Sequence, residues 1–168
     1  MEVRLIPGAE IREVADRLRE VDRRLPTKLR TALRKSAARG IKRVRAEVRA
    51  LPVAGAPGGT AAAPHKRKQL RRLVARGVRA QASAGGRRRA GLRIVTSMPT
   101  EEQAMLPRGL DRGDEGWRHP VFGDREKWVR QPGYSWFREP LADEGPALTR
   151  DIRKVLAEAA EWIAEAGD

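Results

Sequence analysis

The chain has 168 residues, no cysteine and a formal net charge of +14, from 36 basic and 22 acidic side chains. The lack of cysteine excludes a disulfide framework and a thiolate metal site, and no apolar run approaches the roughly 20 residues that a membrane-spanning helix needs. We therefore expect one domain over residues 1–168 that is made in a reducing cytoplasm and has no membrane partner.

The charged side chains are distributed unevenly. Residues 1–47 contain 14 basic and 7 acidic groups. Residues 48–100 contain 12 basic groups and no acidic group, and residues 139–168 contain 3 basic and 8 acidic groups. A basic middle and an acidic end indicate contact with nucleic acid or with a complementary surface on another subunit. Codon bias in a GC-rich genome is an alternative origin for the 29 Arg against 7 Lys, but it does not explain the missing acids.

The N-terminal third predicts a strand and two amphipathic helices. Apolar and charged side chains alternate over residues 3–5, which favours a short edge strand. Apolar residues then recur with helical spacing, first from residue 11 and again from Pro26 until Pro52 stops the pattern. The first apolar stripe consists of Ile11, Val14, Ala15, Leu18 and Val21, and the second of Leu29, Leu33, Ala37, Ile41, Val44, Val48 and Leu51.

The middle of the chain predicts a flexible loop and a β-hairpin. Small and turn-forming residues favour a loop at about 52–68, and the stretch that follows fits either a helical turn or a strand. Residues 78–84 and 92–97 are typical of two strands joined by a glycine- and arginine-rich turn. We expect a short helix over residues 100–105, ended by Pro107.

The C-terminal third predicts a second pair of short strands, over residues 117–122 and 127–131, and a long amphipathic helix from Phe137 onward. The predicted fold class is therefore α+β. Long amphipathic helices, two N-terminal and one C-terminal, are expected to pack on a small antiparallel β-sheet.

The sequence shows no pattern typical of an enzyme. Its two histidines, His65 and His119, are isolated and lack the spacing of metal ligands on a helix. The glycine-rich stretch at residues 55–60 lacks the lysine of a phosphate-binding loop. Asp111, Asp114 and Glu115 are more typical of a surface turn than of a cation site. We predict no catalytic residue, cofactor or metal.

The basic block over residues 65–93 is a candidate for DNA contact. Its cations could neutralise several phosphates without regard to base sequence, which predicts a sequence-independent DNA-binding protein as the alternative function. A solvated or subunit-facing surface explains the block without any nucleic acid, and this is the favoured interpretation. No aromatic residue lies among the cations to stack on bases. The candidate DNA-facing residues are Lys66, Arg67, Lys68, Arg71, Arg72, Arg87, Arg88 and Arg89.

Six of the seven aromatic residues lie between Trp117 and Phe137. Aromatic side chains dominate cores and interfaces, so this segment is expected to provide the main packing or partner contacts. Its order of motifs resembles that of the siphophage tail-completion, or head–tail connector, family, whose members are often called minor tail components. The resemblance is in three segments, His119-Pro120-Val121-Phe122-Gly123, Trp128-Val129-Arg130-Gln131-Pro132 and Trp136-Phe137-Arg138-Glu139-Pro140-Leu141.

This resemblance implies a non-enzymatic structural protein of a tailed bacteriophage, assembled in the host cytoplasm and located in the neck of the virion. It implies a homo-oligomeric ring, with a hexamer as one candidate, that joins the tail tube or tail terminator to the head connector. Non-specific contact with packaged DNA is a further candidate interaction of such a ring. The basic middle and acidic end could pair between neighbouring subunits. The expected interface residues are His119, Pro120, Phe122, Trp128, Trp136 and Phe137.

Overall fold

The computed structural model describes residues 1–4, 8–52, 64–83, 91–112, 115–121 and 124–165. In these ranges helices combine with antiparallel strands, which confirms the predicted α+β class. The elements are, in order, β1 (Glu2–Arg4), α1 (Gly8–Val21), α2 (Leu25–Ser36), α3 (Ala38–Ala50), α4 (Pro64–Gly77), β2 (Val78–Ser83), β3 (Gly91–Thr96), a 3-10 turn (Glu101–Gln103), α5 (Leu106–Leu110), β4 (Trp117–Val121), β5 (Asp124–Gln131) and α6 (Arg138–Glu165).

The chain divides into two compact units, each built from segments that are distant in sequence. Helices α3 and α6 contribute residues to both units. The assignment of the whole chain to one domain stays a prediction. The first unit consists of Met1, Arg43–Val78 and Thr96–Leu141, and the second of Glu2–Lys42, Arg79–Val95 and Ala142–Asp168.

The second unit contains a three-stranded sheet in the order β1–β3–β2. The short strand β1 lies at the edge, as predicted, and pairs antiparallel with β3 so that Val3 is opposite Ile94. Leu92 and Ile94 of the central strand are fully buried. The predicted hairpin corresponds to β2 and β3, and its arginine-rich tip lies outside the described residues.

Helices α1 and α2 and most of α6 complete the second unit. Their apolar stripes are buried because the spacing of three and four residues places them on one side of each helix. An ion pair of 2.9 Å between Arg39 Nε and Glu144 Oε2 connects the start of α3 to α6. The fully buried side chains of these stripes include Ile11, Leu18, Leu29, Leu33, Leu148 and Ile152.

The second predicted helix is in fact two helices. The apolar pattern predicted one helix over residues 26–51, whereas α2 ends at Ser36 and α3 begins at Ala38. Ala37 keeps helical dihedral angles, φ −76° and ψ −5°, and its carbonyl accepts a hydrogen bond from the Ile41 N–H at 3.1 Å. The interruption is therefore local and leaves the same side of the chain buried.

Helix α4 corrects the end of the loop predicted at 52–68, because it includes residues 64–68. The helix begins at Pro64, and proline is favoured in a first turn because its missing N–H has no helical partner there. Residues 64–68 are thus helical, while residues 53–63 lie outside the described residues. At the end of α4, a Cβ on Gly77 would be only 2.2 Å from the carbonyl oxygen of Ser97, so the two backbones meet where only glycine fits.

The short helix in the first unit also differs from the prediction. A 3-10 turn replaces the helix expected over residues 100–105, and α5 starts only at Leu106. Pro107 was expected to end a helix but lies in the first turn of α5, where proline is tolerated.

Within the described ranges, none of the helices combines the length and apolar character that a membrane span requires.

Candidate functional site

The aromatic segment predicted to contact partners forms a two-stranded antiparallel sheet. In its register Trp117 is opposite Gln131, and Pro120 is opposite Trp128. Side chains that are opposite each other in an antiparallel pair project to the same face, and successive residues alternate between faces. Trp117 and Trp128 therefore belong to different faces of the β4–β5 hairpin.

Trp117 anchors one face of the hairpin on α5. A Cβ on Gly109 would lie 2.3 Å from Cδ2 of Trp117, so the indole rests directly on the helix at a residue without a side chain. Gly116 has φ +66°, a backbone angle that glycine adopts readily, just before the chain enters β4. Arg130 also donates a hydrogen bond of 3.1 Å to the carbonyl oxygen of Glu115. These contacts fix the hairpin within the first unit.

The opposite face, which we call the hairpin face, consists of Arg118, Pro120, Trp128 and Arg130. Trp128 is 54% exposed, although burial of an indole removes a large apolar area from water. Exposed Trp flanked by Arg is typical of protein interfaces, where both residue types are enriched. The hairpin face thus has the composition of a contact surface.

The charges on the hairpin face indicate the kind of partner that would fit. Arg118 and Arg130 are both exposed and directly opposite each other in the register. Like charges in this position destabilise a strand pair. Within the described part of the chain neither guanidinium forms an ion pair, so an acidic group from another molecule would relieve the repulsion.

Trp136 and Phe137 do not lie on this surface. They are 2% and 0% exposed, and their rings contact each other edge-on with centroids 5.4 Å apart. Both side chains belong to the core of the first unit. Their burial corrects the prediction that they contact a partner, because a fully enclosed ring presents no surface to another protein.

Asp111, at the end of α5, caps the chain where it enters α6. Its Oδ1 accepts a hydrogen bond of 2.8 Å from the Phe137 N–H, and its side chain is 4% exposed. Burial raises the pKa of this carboxyl above its ordinary value of 3.8, although the backbone N–H groups of Phe137 and Arg138 and the Arg138 charge act in the opposite direction. Asp111 therefore has a structural role at the start of α6.

The remaining predicted interface residues are Pro120, His119 and Phe122. Pro120 is half-buried, and its position in a short strand of a two-stranded sheet agrees with the preference of proline for edge strands. His119 is opposite Val129 in the register. Phe122 lies outside the described residues.

The structure describes two of the predicted DNA-facing side chains, Arg71 and Arg72. Arg71 donates a hydrogen bond to the carbonyl oxygen of Leu51 and is half-buried, so it links α4 to the end of α3. Its assignment to a DNA-facing surface stays a prediction. Arg72 is exposed. Residues 66–68 lie in the first turns of α4, and their side chains are outside the description, as are residues 87–89.

Gly109, which supports Trp117, and Arg118 and Arg130, which flank Trp128, were not among the predicted interface residues. Gly109 has no sequence signal that links it to Trp117, whereas Arg118 and Arg130 could have been found from strand alternation and an assumed pairing.

Among the described residues, no group of three or more His, Asp or Glu side chains could hold a metal ion.

No protein-family model, curated protein or solved structure matches this chain. The resemblance to tail-completion proteins therefore stays a prediction from the three motif segments.

Proposed function

We propose that this chain is a structural subunit of a tailed-bacteriophage virion, a tail-completion or neck component that joins the tail tube to the head connector within a homo-oligomeric ring. The observation that carries the proposal is the exposed Trp128 at the centre of the hairpin face. A ring subunit needs a rigid adhesive surface, and this one is anchored from behind by Trp117.

The chemistry of the hairpin face supports adhesion. A large aromatic ring supplies apolar contact area, and the adjacent guanidinium groups supply hydrogen-bond donors for carboxylates. The two-stranded sheet also leaves the outer edge of β5 without a neighbouring strand in the described part of the chain. A partner strand could add to that edge, because its N–H and C=O groups point outward.

Replacing the exposed indole tests the proposal. We expect the Trp128→Ala variant to assemble at least tenfold more weakly, since central interface tryptophans often contribute about 2 kcal/mol or more to binding. Native mass spectrometry and sedimentation velocity would measure the oligomeric state of the full chain, alone and with the tail-tube and connector proteins of the same phage.

Met105→Ala is the matched control, because Met105 is 55% exposed, close to the 54% of Trp128, but lies outside the hairpin. The control should assemble like the unmodified chain. A chain that stays monomeric with all of these partners, or a particle map without its density at the head–tail junction, would contradict the proposal.

A further inference from the structure

A cationic groove lies in the second unit, between α2 and the end of α6. Its volume is about 550 Å³, and it is open along one side. None of its lining residues is acidic within the described part of the chain. This α2 groove is lined by Arg23, Arg24, Lys28 and Lys35, by the hydroxyl-bearing residues Thr27 and Thr31, and by Trp162.

The groove cations have no counter-charge among the described residues, whereas several cations of the neighbouring helices are paired with carboxylates. In the described part of the chain, none of the four forms an ion pair. Four like charges along one groove repel one another, so a bound anion would lower the electrostatic free energy. The paired cations of the neighbouring helices include Arg17 with Glu13, Arg19 with Asp16, Arg39 with Glu144 and Arg43 with Glu47.

Trp162 positions one of these cations. The Lys28 Nζ lies 3.8 Å from the centroid of the indole ring, a cation–π contact that holds the ammonium group at the wall of the groove. The same contact covers one face of the ring, so that face is not free to stack on a nucleic-acid base. A ligand would thus be recognised by its charge.

The spacing of the cations favours a long ligand. Arg24, Lys28 and Lys35 are separated by four and seven residues, which places them on one side of α2 over about 16 Å. A single small anion cannot touch both ends of such a row. A nucleic-acid backbone carries phosphates at regular intervals, so several phosphates of one strand could contact the row at the same time.

We propose that the α2 groove binds the phosphodiester backbone of nucleic acid without regard to sequence. This site is separate from the basic block at residues 65–93, and it does not rest on the neck function. Its cations come from one helix and the residues just before it, so the contact follows the backbone and does not reach into a groove of the duplex to read bases.

Salt-dependent binding tests the site. Fluorescence anisotropy with two short DNA duplexes of unrelated sequence would give the dissociation constant of the full chain at several salt concentrations. Each neutralised phosphate contributes about −0.9 to the slope of log K against log salt, so removing two contacts with Arg24→Ala and Lys35→Ala should lower the steepness by about two. Affinity at low salt should fall on the order of tenfold or more, equally for both sequences.

A charge-matched control separates the groove from general basicity. The Arg17→Ala, Arg19→Ala variant removes the same charge from α1 and should bind nearly as the unmodified chain does. Equal weakening in both variants, or no binding by the unmodified chain at low salt, would overturn the proposal. So would a poly-glutamate peptide that binds the groove more tightly than DNA, because the occupant would then be an acidic protein segment. Circular dichroism of both variants would establish that they are folded.

Discussion

The contact between Gly109 and Trp117 gives a sharp test of how the hairpin is oriented. In Gly109→Ala the new Cβ would lie 2.3 Å from Cδ2, 2.5 Å from Cε3 and 2.8 Å from Cε2 of the indole, all well inside van der Waals distance. Overpacking of this kind lowers the free energy of unfolding by about 1–3 kcal/mol, and the higher helix propensity of alanine offsets up to about 1 kcal/mol of this loss. We expect a net loss of about 1–2 kcal/mol in the free energy of unfolding.

Gly145→Ala in α6 is the matched control, because the Cβ that it would introduce meets no atom within 4 Å other than those of its chain neighbours and of the backbone of its own helix. Its stability should stay within about 1 kcal/mol of that of the unmodified chain, because the gain in helix propensity is opposed by Pro146, which disfavours helical dihedral angles in a preceding residue that has a Cβ. Urea unfolding followed by circular dichroism would measure both variants. If Gly109→Ala were as stable as Gly145→Ala, the indole would not rest on α5. A double-mutant cycle with Trp117→Ala should remove most of the penalty, since the clashing ring is then absent.

Two further substitutions test packing and charge. Gly77→Ala would place a Cβ 2.2 Å from the backbone oxygen of Ser97, which cannot rotate away. We expect the free energy of unfolding to fall by about 1–3 kcal/mol, measured as a lower midpoint of thermal unfolding. An unchanged midpoint would contradict this close approach. Asp111→Ala should lose about 1–3 kcal/mol because it leaves the Phe137 N–H without its acceptor, whereas Asp111→Asn keeps an acceptor oxygen. Because burial raises the pKa of Asp111, protonation of its carboxyl favours the folded chain. The unmodified protein should therefore gain stability relative to Asp111→Asn as the pH falls from 7 to below 3.8. A difference in stability that does not vary with pH would contradict this.

Periodicity in the sequence was sufficient to predict the amphipathic helices and both hairpins, because their apolar residues follow the geometry of each element. It could not predict the break at Ala37, since the stripe continues through that residue and no proline or glycine occupies it. Helix α4 was predicted only in part, as a helical turn or a strand after residue 68, because its first turns are charged and contain no apolar residue. Pro64 in the first turn and the four-residue spacing of Leu70 and Val74 were the signals that could have found it.

The division of the aromatic residues between core and surface could not be predicted, because it depends on tertiary contacts. Trp128 and Trp136 are only eight residues apart and belong to one motif region, yet one is 54% and the other 2% exposed. The decisive partner of Trp117 is a glycine, which offers no side chain for a pattern to detect. Likewise, the α2 groove depends on Trp162, which is distant in sequence from Lys28.

The four indoles also provide the chain with optical reporters of its own. Trp136 is shielded from water, so its emission should be blue-shifted and insensitive to acrylamide, whereas Trp128 should be quenched readily. Trp162 lies under an ammonium group, and displacement of Lys28 would alter its quantum yield. Events at the hairpin face and in the α2 groove can therefore be distinguished without an attached dye, by retaining one of these indoles and replacing the others with phenylalanine.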